Sequence, residues 1–448
     1  MRRRNRRTTL CAAIAAGVVA GTATVTAAET AIRREPSDHT FIAGAHLPPL
    51  LTASGEPVRL RYAILCGDDA TLADGDPCDG GGDVYVRAGH AGSFTRLTLL
   101  RGADSREGRY FADVPADIAA SPTGFSYYAV LRDDRTGATT MLPAAGAAAP
   151  QDSYPIGAAV SVALGAHRFA ATQPATKRVV EARWGTAVGE LGLTGGDTAA
   201  RIGPSSFDVS ADGTVTVLDE VNGRVVRWHR GVASATPVDV PPALDDMAVA
   251  PDGSVFVADG TRAAGETPLL RTFGPDGRLR ATTHLPERTW SQLRMSPDGP
   301  VVQEHPSEQW MPPSRAAGGK SGRRLADGSR LVVLRVGADE IRVARIVNGA
   351  VHASWRVRSA TPLGEVQLAE PMGNRLLLVA KVYTEADDEY DVLVLDADGV
   401  ARRFSISSAA WAETAPLARF RLVGTTLYRF GSDAAGAFVD SYDLGGVR

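Results

Sequence analysis

Cysteine is nearly absent from this 448-residue chain, which holds three. Cys11 precedes most of an uncharged N-terminal stretch, a position that argues against a lipoprotein anchor. Cys66 and Cys78 are too few for a structural zinc site, which wants four ligands. No histidine lies between them to activate a catalytic thiol. Two cysteines this close, in an oxidising compartment, are read as a disulfide that staples one hairpin, worth about 3 kcal/mol on a chain-entropy basis.

An excess of positive charge is also missing. The net charge is −3, with acids and bases interspersed, so the basic stripe of a nucleic-acid binder is not there. Long apolar runs are lacking too. The one candidate, residues 10–28, is diluted by Gly17, Gly21 and threonines, which argues against a membrane span. It follows MRRRNRRTTL, with five arginines and no acid, and ends in the small residues Val25-Thr26-Ala27. That is the layout of a cleavable signal peptide over residues 1–27, routed by Sec or, through Arg6-Arg7, by the twin-arginine system. Its removal takes the net charge from −3 to about −8. The mature chain is expected to be secreted, monomeric and without stable membrane insertion.

No P-loop, G-x-G-x-x-G or G-x-S-x-G motif occurs. What is present is a succession of short alternating strands. Between residues 44 and 150, VRLRYAIL, DVYVRA, FTRLTLL, RYFADV, FSYYAVLRD and ATTMLP alternate with Gly, Asp and Pro clusters, the pattern of a β-sandwich. In architecture alone this segment resembles immunoglobulin-like or fibronectin-type modules. Its loop CGDDATLADGDPCDGGGD offers Asp74, Asp76, Asp79 and Asp83 as weak calcium candidates, although the spacing is not that of an EF-hand and a solvated turn is the plainer reading. No other cofactor is implied.

Residues 151–177, rich in Ala, Pro and Gly, read as a linker. From 178 to 448 the chain repeats. FDVSADGTVTVLDEVNGRVVRW and MAVAPDGSVFVADG align at an offset of 40, pairing Asp212-Gly213 with Asp252-Gly253 and Asp219 with Asp259. Asp-Gly between alternating hydrophobics marks a tight hairpin, and a period near 40 with several strands per unit marks a propeller. Further hairpins in QLRMSPDGPVV and beyond give five or six blades, with RVVEARWG (178–185) available to close the ring. The fold class is therefore all-β, a sandwich followed by a β-propeller.

The positions Asp212, Gly213, Val215, Val217, Asp219, Asn222 and Arg224 resemble the NHL-repeat propellers. The resemblance implies that Asp219, Asn222 and Asp259 are blade braces first and ligand contacts second. It also implies a family in which lactonases and lyases stand beside pure binders. The histidines do not fall at equivalent repeat positions and no set of acids and histidines converging on the channel is found by spacing, so the balance is for a binding protein rather than an enzyme. The stretch 301–328 reads as a long irregular insertion, and such loops on rigid scaffolds are disproportionately functional. It carries Glu304, His305, Trp310, Arg315, Arg323 and Arg324, the candidate contacts for an extracellular protein or glycan. The alternative is a lactonase-like hydrolase or lyase acting on a small extracellular molecule.

Overall fold

The computed structural model describes residues 41–67, 76–102, 108–196, 199–241, 245–259, 268–285, 290–304, 309–313 and 320–446. The expected signal peptide lies outside them. Among the described residues no helix is long and apolar enough to cross a membrane.

The first module consists of two sheets. One joins Phe41–His46, Arg59–Gly67, Asp76–Pro77 and Arg109–Asp113; the other is built on Phe125–Asp133, Gly80–Ala88 and Gln151–Pro155. Alternation explains which residues face inward. Leu60, Tyr62 and Ile64 of the first sheet meet Val84, Val86, Phe125, Tyr127, Ala129 and Leu131 of the second in one core. The opposite face of the central strand carries Tyr128, stacked on its cross-strand neighbour Tyr85 at 4.8 Å. Cys66 and Cys78 are bonded, tying strand Arg59–Gly67 to the segment just past its hairpin partner.

His46 is sealed inside this module. Its Nδ1 is 2.7 Å from the Arg61 carbonyl, which only accepts, so Nδ1 carries the proton and Nε2 accepts from the Tyr127 hydroxyl at 2.8 Å. Burial pulls the imidazole down to about 4, against a smaller upward pull from the Arg61 bond. The unfolded chain takes up this proton near pH 6.5 while the fold refuses it until about 4. Stability should therefore be flat above pH 6.5 and fall by up to about 1.4 kcal/mol per unit from there towards pH 4. Denaturant titrations at pH 7, 5.5 and 4.5 check this; His46→Asn, which has no proton to take up, should show a shallower slope, and an unchanged slope would sink the assignment.

Six further sheets form the propeller. Blades one to six open with inner strands Ser206–Val209, Asp246–Val249, Trp290–Ser296, Arg330–Val336, Leu363–Met372 and Phe420–Val423. Inner strands of blades one to three are neighbours in turn, those of four to six likewise, and six adjoins one. The hairpins turn as the Asp-Gly dipeptides require: Gly213 and Gly253 sit at φ of 82° and 84°, and Asp212 and Asp252 accept from the backbone N–H two residues on, at 3.0 and 2.9 Å. Asp219, fully buried, accepts from Gly192 N, Asn222 Nδ2 and Arg224 Nε at 2.8–2.9 Å. Asn222 and Arg224 in turn hold the carbonyls of Gly185 and Thr186, so blade one is pinned to the loop before it. Asp259 is likewise buried and faces Arg271 at 3.5 Å.

The ring closes with Lys177–Arg183, which pairs antiparallel with Gly436–Asp443 in blade six. Residues 151–177 do more than connect. Gln151–Pro155 completes a sandwich sheet, and Val160–Ala163 adds in parallel to the outer strand of blade four. His167 then packs on blade five, 2.9 Å from Glu389. Strands of four or five residues in Ala- and Pro-rich sequence show too little alternation to be seen beforehand.

Candidate functional site

Between blades three and four the sandwich enters the ring. Leu50, Leu51, Tyr154 and Ile156 pack on Val332, Ala344 and Ile346 of blade four, while Gln151 donates to Ser321 Oγ of blade three at 2.7 Å. The wedge reaches the centre. There Leu47, Pro48 and Leu50 form part of the wall of a cavity of about 600 Å³, completed by inner strands of blades three, four and five. That volume lies within the range of small-molecule sites.

The wall is lined by both apolar and polar side chains. Leu331, Val333, Val366 and Leu368 continue the apolar surface of the wedge. The polar lining comes from Arg294, Gln292 and Gln303 of blade three, Arg323 and Arg335 from the region of blade four, and Glu365 and Glu370 of blade five. Gly322 sets the turn before Arg323. It has φ of 80°, and a Cβ there would lie 2.8 Å from the Leu331 carbonyl oxygen.

Arg294 is buried, and its charge is held from behind. Nη1 donates to the Leu293 carbonyl at 2.8 Å and to Asp246 at 3.2 Å. Asp246 also faces Arg421 at 3.6 Å, and Arg421 faces Asp208 at 3.3 Å, so acids and guanidinium groups alternate across the channel. Burial, then the Arg421 charge, pull Arg294 down to about 10, which leaves it a cation at neutral pH. Its Nη2 is buried with no hydrogen-bond acceptor among the described residues. Arg323 is bound to Glu370 at 2.5 Å and lies 5.9 Å over the ring of Trp310. Glu365 makes no ion pair among the described residues; burial raises its carboxyl, against the bond from Gln367 at 2.9 Å and the charges of Arg419, Lys381 and Arg335. Among the described residues, Asp246 and Glu370 are already partnered by guanidinium groups.

No family model matches the sequence, and no curated protein matches it. Solved structures do. Virginiamycin B lyase from Staphylococcus aureus aligns at 10% identity and a TM-score of 0.33, covering 54% of this chain and 94% of that one. YCF48 bound to a D1 peptide aligns at 11% identity and 0.32, covering 62% and 97%. A gluconolactonase from Xanthomonas campestris aligns at 14% and 0.25, covering 61% and 100%.

Of the residues singled out in 301–328, Trp310 and Arg323 line the cavity. Arg324 points elsewhere and is ion-paired with exposed Asp298. Glu304 ends strand Gly299–Glu304 of blade three, and His305 and Arg315 lie outside the described residues. The stretch is less irregular than its composition implies, because Gln309–Met311 and Lys320–Ser321 supply the outer strands of that blade. Of the calcium candidates, Asp79 and Asp83 are paired with Arg101 and Arg96 at 2.6 and 2.7 Å. Asp76 lies in a strand, and Asp74 is outside the described residues.

Arg294, Glu365, Glu370 and the Leu47–Leu50 wedge were not singled out by sequence. A signal for Arg294 does exist. Asp208, Ala248 and Arg294 each stand four residues before a hairpin Asp, and Ser206, Asp246 and Gln292 each stand six before. Five of these six alternate positions are polar on otherwise apolar inner strands, a pattern that marks the channel wall.

Proposed function

We propose that this chain is an exported binding protein that takes a small extracellular molecule into the channel cavity. The observation that carries the reading is the composite wall: three blades and a wedge from the sandwich surround one space lined by apolar side chains and three arginines. Export is supported by the arginine-rich start of the sequence and by the Cys66–Cys78 disulfide. A protein or glycan partner docking on the blade-three insert would meet the same place from its rim, at Trp310.

Filling the cavity tests this. Val333→Trp should abolish enrichment of small molecules from spent culture medium, read by equilibrium dialysis and mass spectrometry, while the melting temperature stays within a few degrees. Equal enrichment by wild type and variant would remove the cavity from consideration.

Glu365 favours a second reading, in which the site is a hydrolase or lyase. A carboxyl raised by burial and facing a cavity is suited to proton transfer. Glu365→Gln would then preserve binding and stop turnover of the enriched molecule.

A further inference from the structure

We infer that the ligand is an amphipathic carboxylate, its anionic end held by Arg294 and Arg335 and its apolar body lying against the Leu47–Leu50 wedge. The inference rests on the binding reading above and adds the chemical class.

The donors decide it. A guanidinium has five N–H groups, and Arg294, which lines the cavity, commits Nη1 to Asp246 and a carbonyl while its buried Nη2 has no acceptor among the described residues. A buried donor left unpaired is costly, and a ligand oxygen at this place would satisfy it. Arg335 lines the same cavity and donates through Nη1 to the carbonyls of Gly337 and Leu363, at 3.1 and 3.4 Å; among the described residues no carboxylate forms an ion pair with it. The fork of donors on a guanidinium matches the two oxygens of a carboxylate.

The acids do not cancel this. Glu370 is engaged by Arg323 at 2.5 Å, so it offers little charge to a ligand cation. Burial raises the Glu365 carboxyl, and Gln367 already donates to it at 2.9 Å, so its opposition to an anion is weakened. The same wall carries Leu47, Pro48, Leu50, Leu331, Val333 and Leu368, which fits a hydrocarbon or aromatic body and not a compact inorganic anion.

Matched ligand triplets separate headgroup from body. The probes are 4-phenylbutyrate and indole-3-acetate, each with its primary amide and its amine counterpart, titrated into the purified protein by ligand-observed NMR and thermal shift. The acids are expected to bind at least tenfold more tightly than amides or amines, and Arg294→Gln to lose that preference. Since Arg294 belongs to a buried network, the exposed Arg335→Gln is run in parallel; it should keep the wild-type melting temperature and weaken the acids alone. Equal binding of all three headgroups, or a preference for amines, would overturn the carboxylate and leave the cavity reading standing. Binding of none of them to the wild type would overturn the carboxylate, whereas the cavity reading falls only on equal enrichment by wild type and Val333→Trp.

Discussion

Asp246→Ala is expected to lower the unfolding free energy by about 3–5 kcal/mol, the range for removing one partner of a buried charge network. The size follows from how many groups the carboxylate serves. It is fully buried, accepts from Ser206 Oγ at 2.7 Å, from Met247 N at 2.9 Å and from Leu293 N at 2.8 Å, and faces both Arg294 and Arg421. Alanine would strand two backbone or side-chain donors from neighbouring blades and leave two buried guanidinium groups with one aspartate, Asp208, at the far end. Asp246→Asn keeps an acceptor but drops the charge, so its loss should be about half as large. Urea denaturation followed by tryptophan fluorescence checks both, because Trp228, Trp290 and Trp355 sit in blades one, three and four. A loss under 1 kcal/mol for the alanine would mean that the channel arginines are compensated by other groups.

This network also shows why some of the molecule was readable beforehand and some was not. Hairpins were legible because Asp212-Gly213 and Asp252-Gly253 combine an Asp that caps the turn with a glycine at positive φ, a local cause with a local signature. Six blades rather than five became clear only from the later sheets, where Leu363–Met372 and Phe420–Val423 turn through Gly373 and Gly424 without an Asp-Gly pair. The candidate site was half legible. Trp310 and Arg323 drew notice as an aromatic and a cation in a long insert, and both line the cavity. The wedge was not, because nothing in LPPLLT shows that Leu50 and Leu51 will lie against Ile346. Residues that meet across nearly 300 positions leave no periodic trace in the chain.

The wedge yields the second large effect. Arg342→Ala should cost about 1–3 kcal/mol, the range for leaving a buried acceptor such as the Leu51 carbonyl unsatisfied, and loosen the sandwich from the propeller, since Arg342 is the joint between them. From the second strand of blade four its Nη1 donates to the Leu51 carbonyl at 2.9 Å and to Glu56 at 2.8 Å, Nη2 donates to Glu56 at 3.0 Å, and Nε donates to Glu340 at 2.5 Å. Glu340 is held at about 2: burial opposes the shift, but the bonds from Arg356, Arg342 and Arg358 outweigh it. In the alanine variant Glu340 keeps Arg356 and Arg358, whereas the Leu51 carbonyl and Glu56 lose their donor at the edge of the wedge. Arg342→Lys retains a charge but not the fork that reaches the carbonyl and both Glu56 oxygens, so it should recover less than half of the loss. The readout that distinguishes a joint from an ordinary buried arginine is local. Amide hydrogen exchange should rise first in residues 47–56 and 151–156, ahead of blades one and two, and the cavity walled by Leu47 and Leu50 should lose its ligand in the same range of denaturant. Uniform exchange across both modules would show instead that they unfold as one cooperative unit, with Arg342 contributing to a shared core.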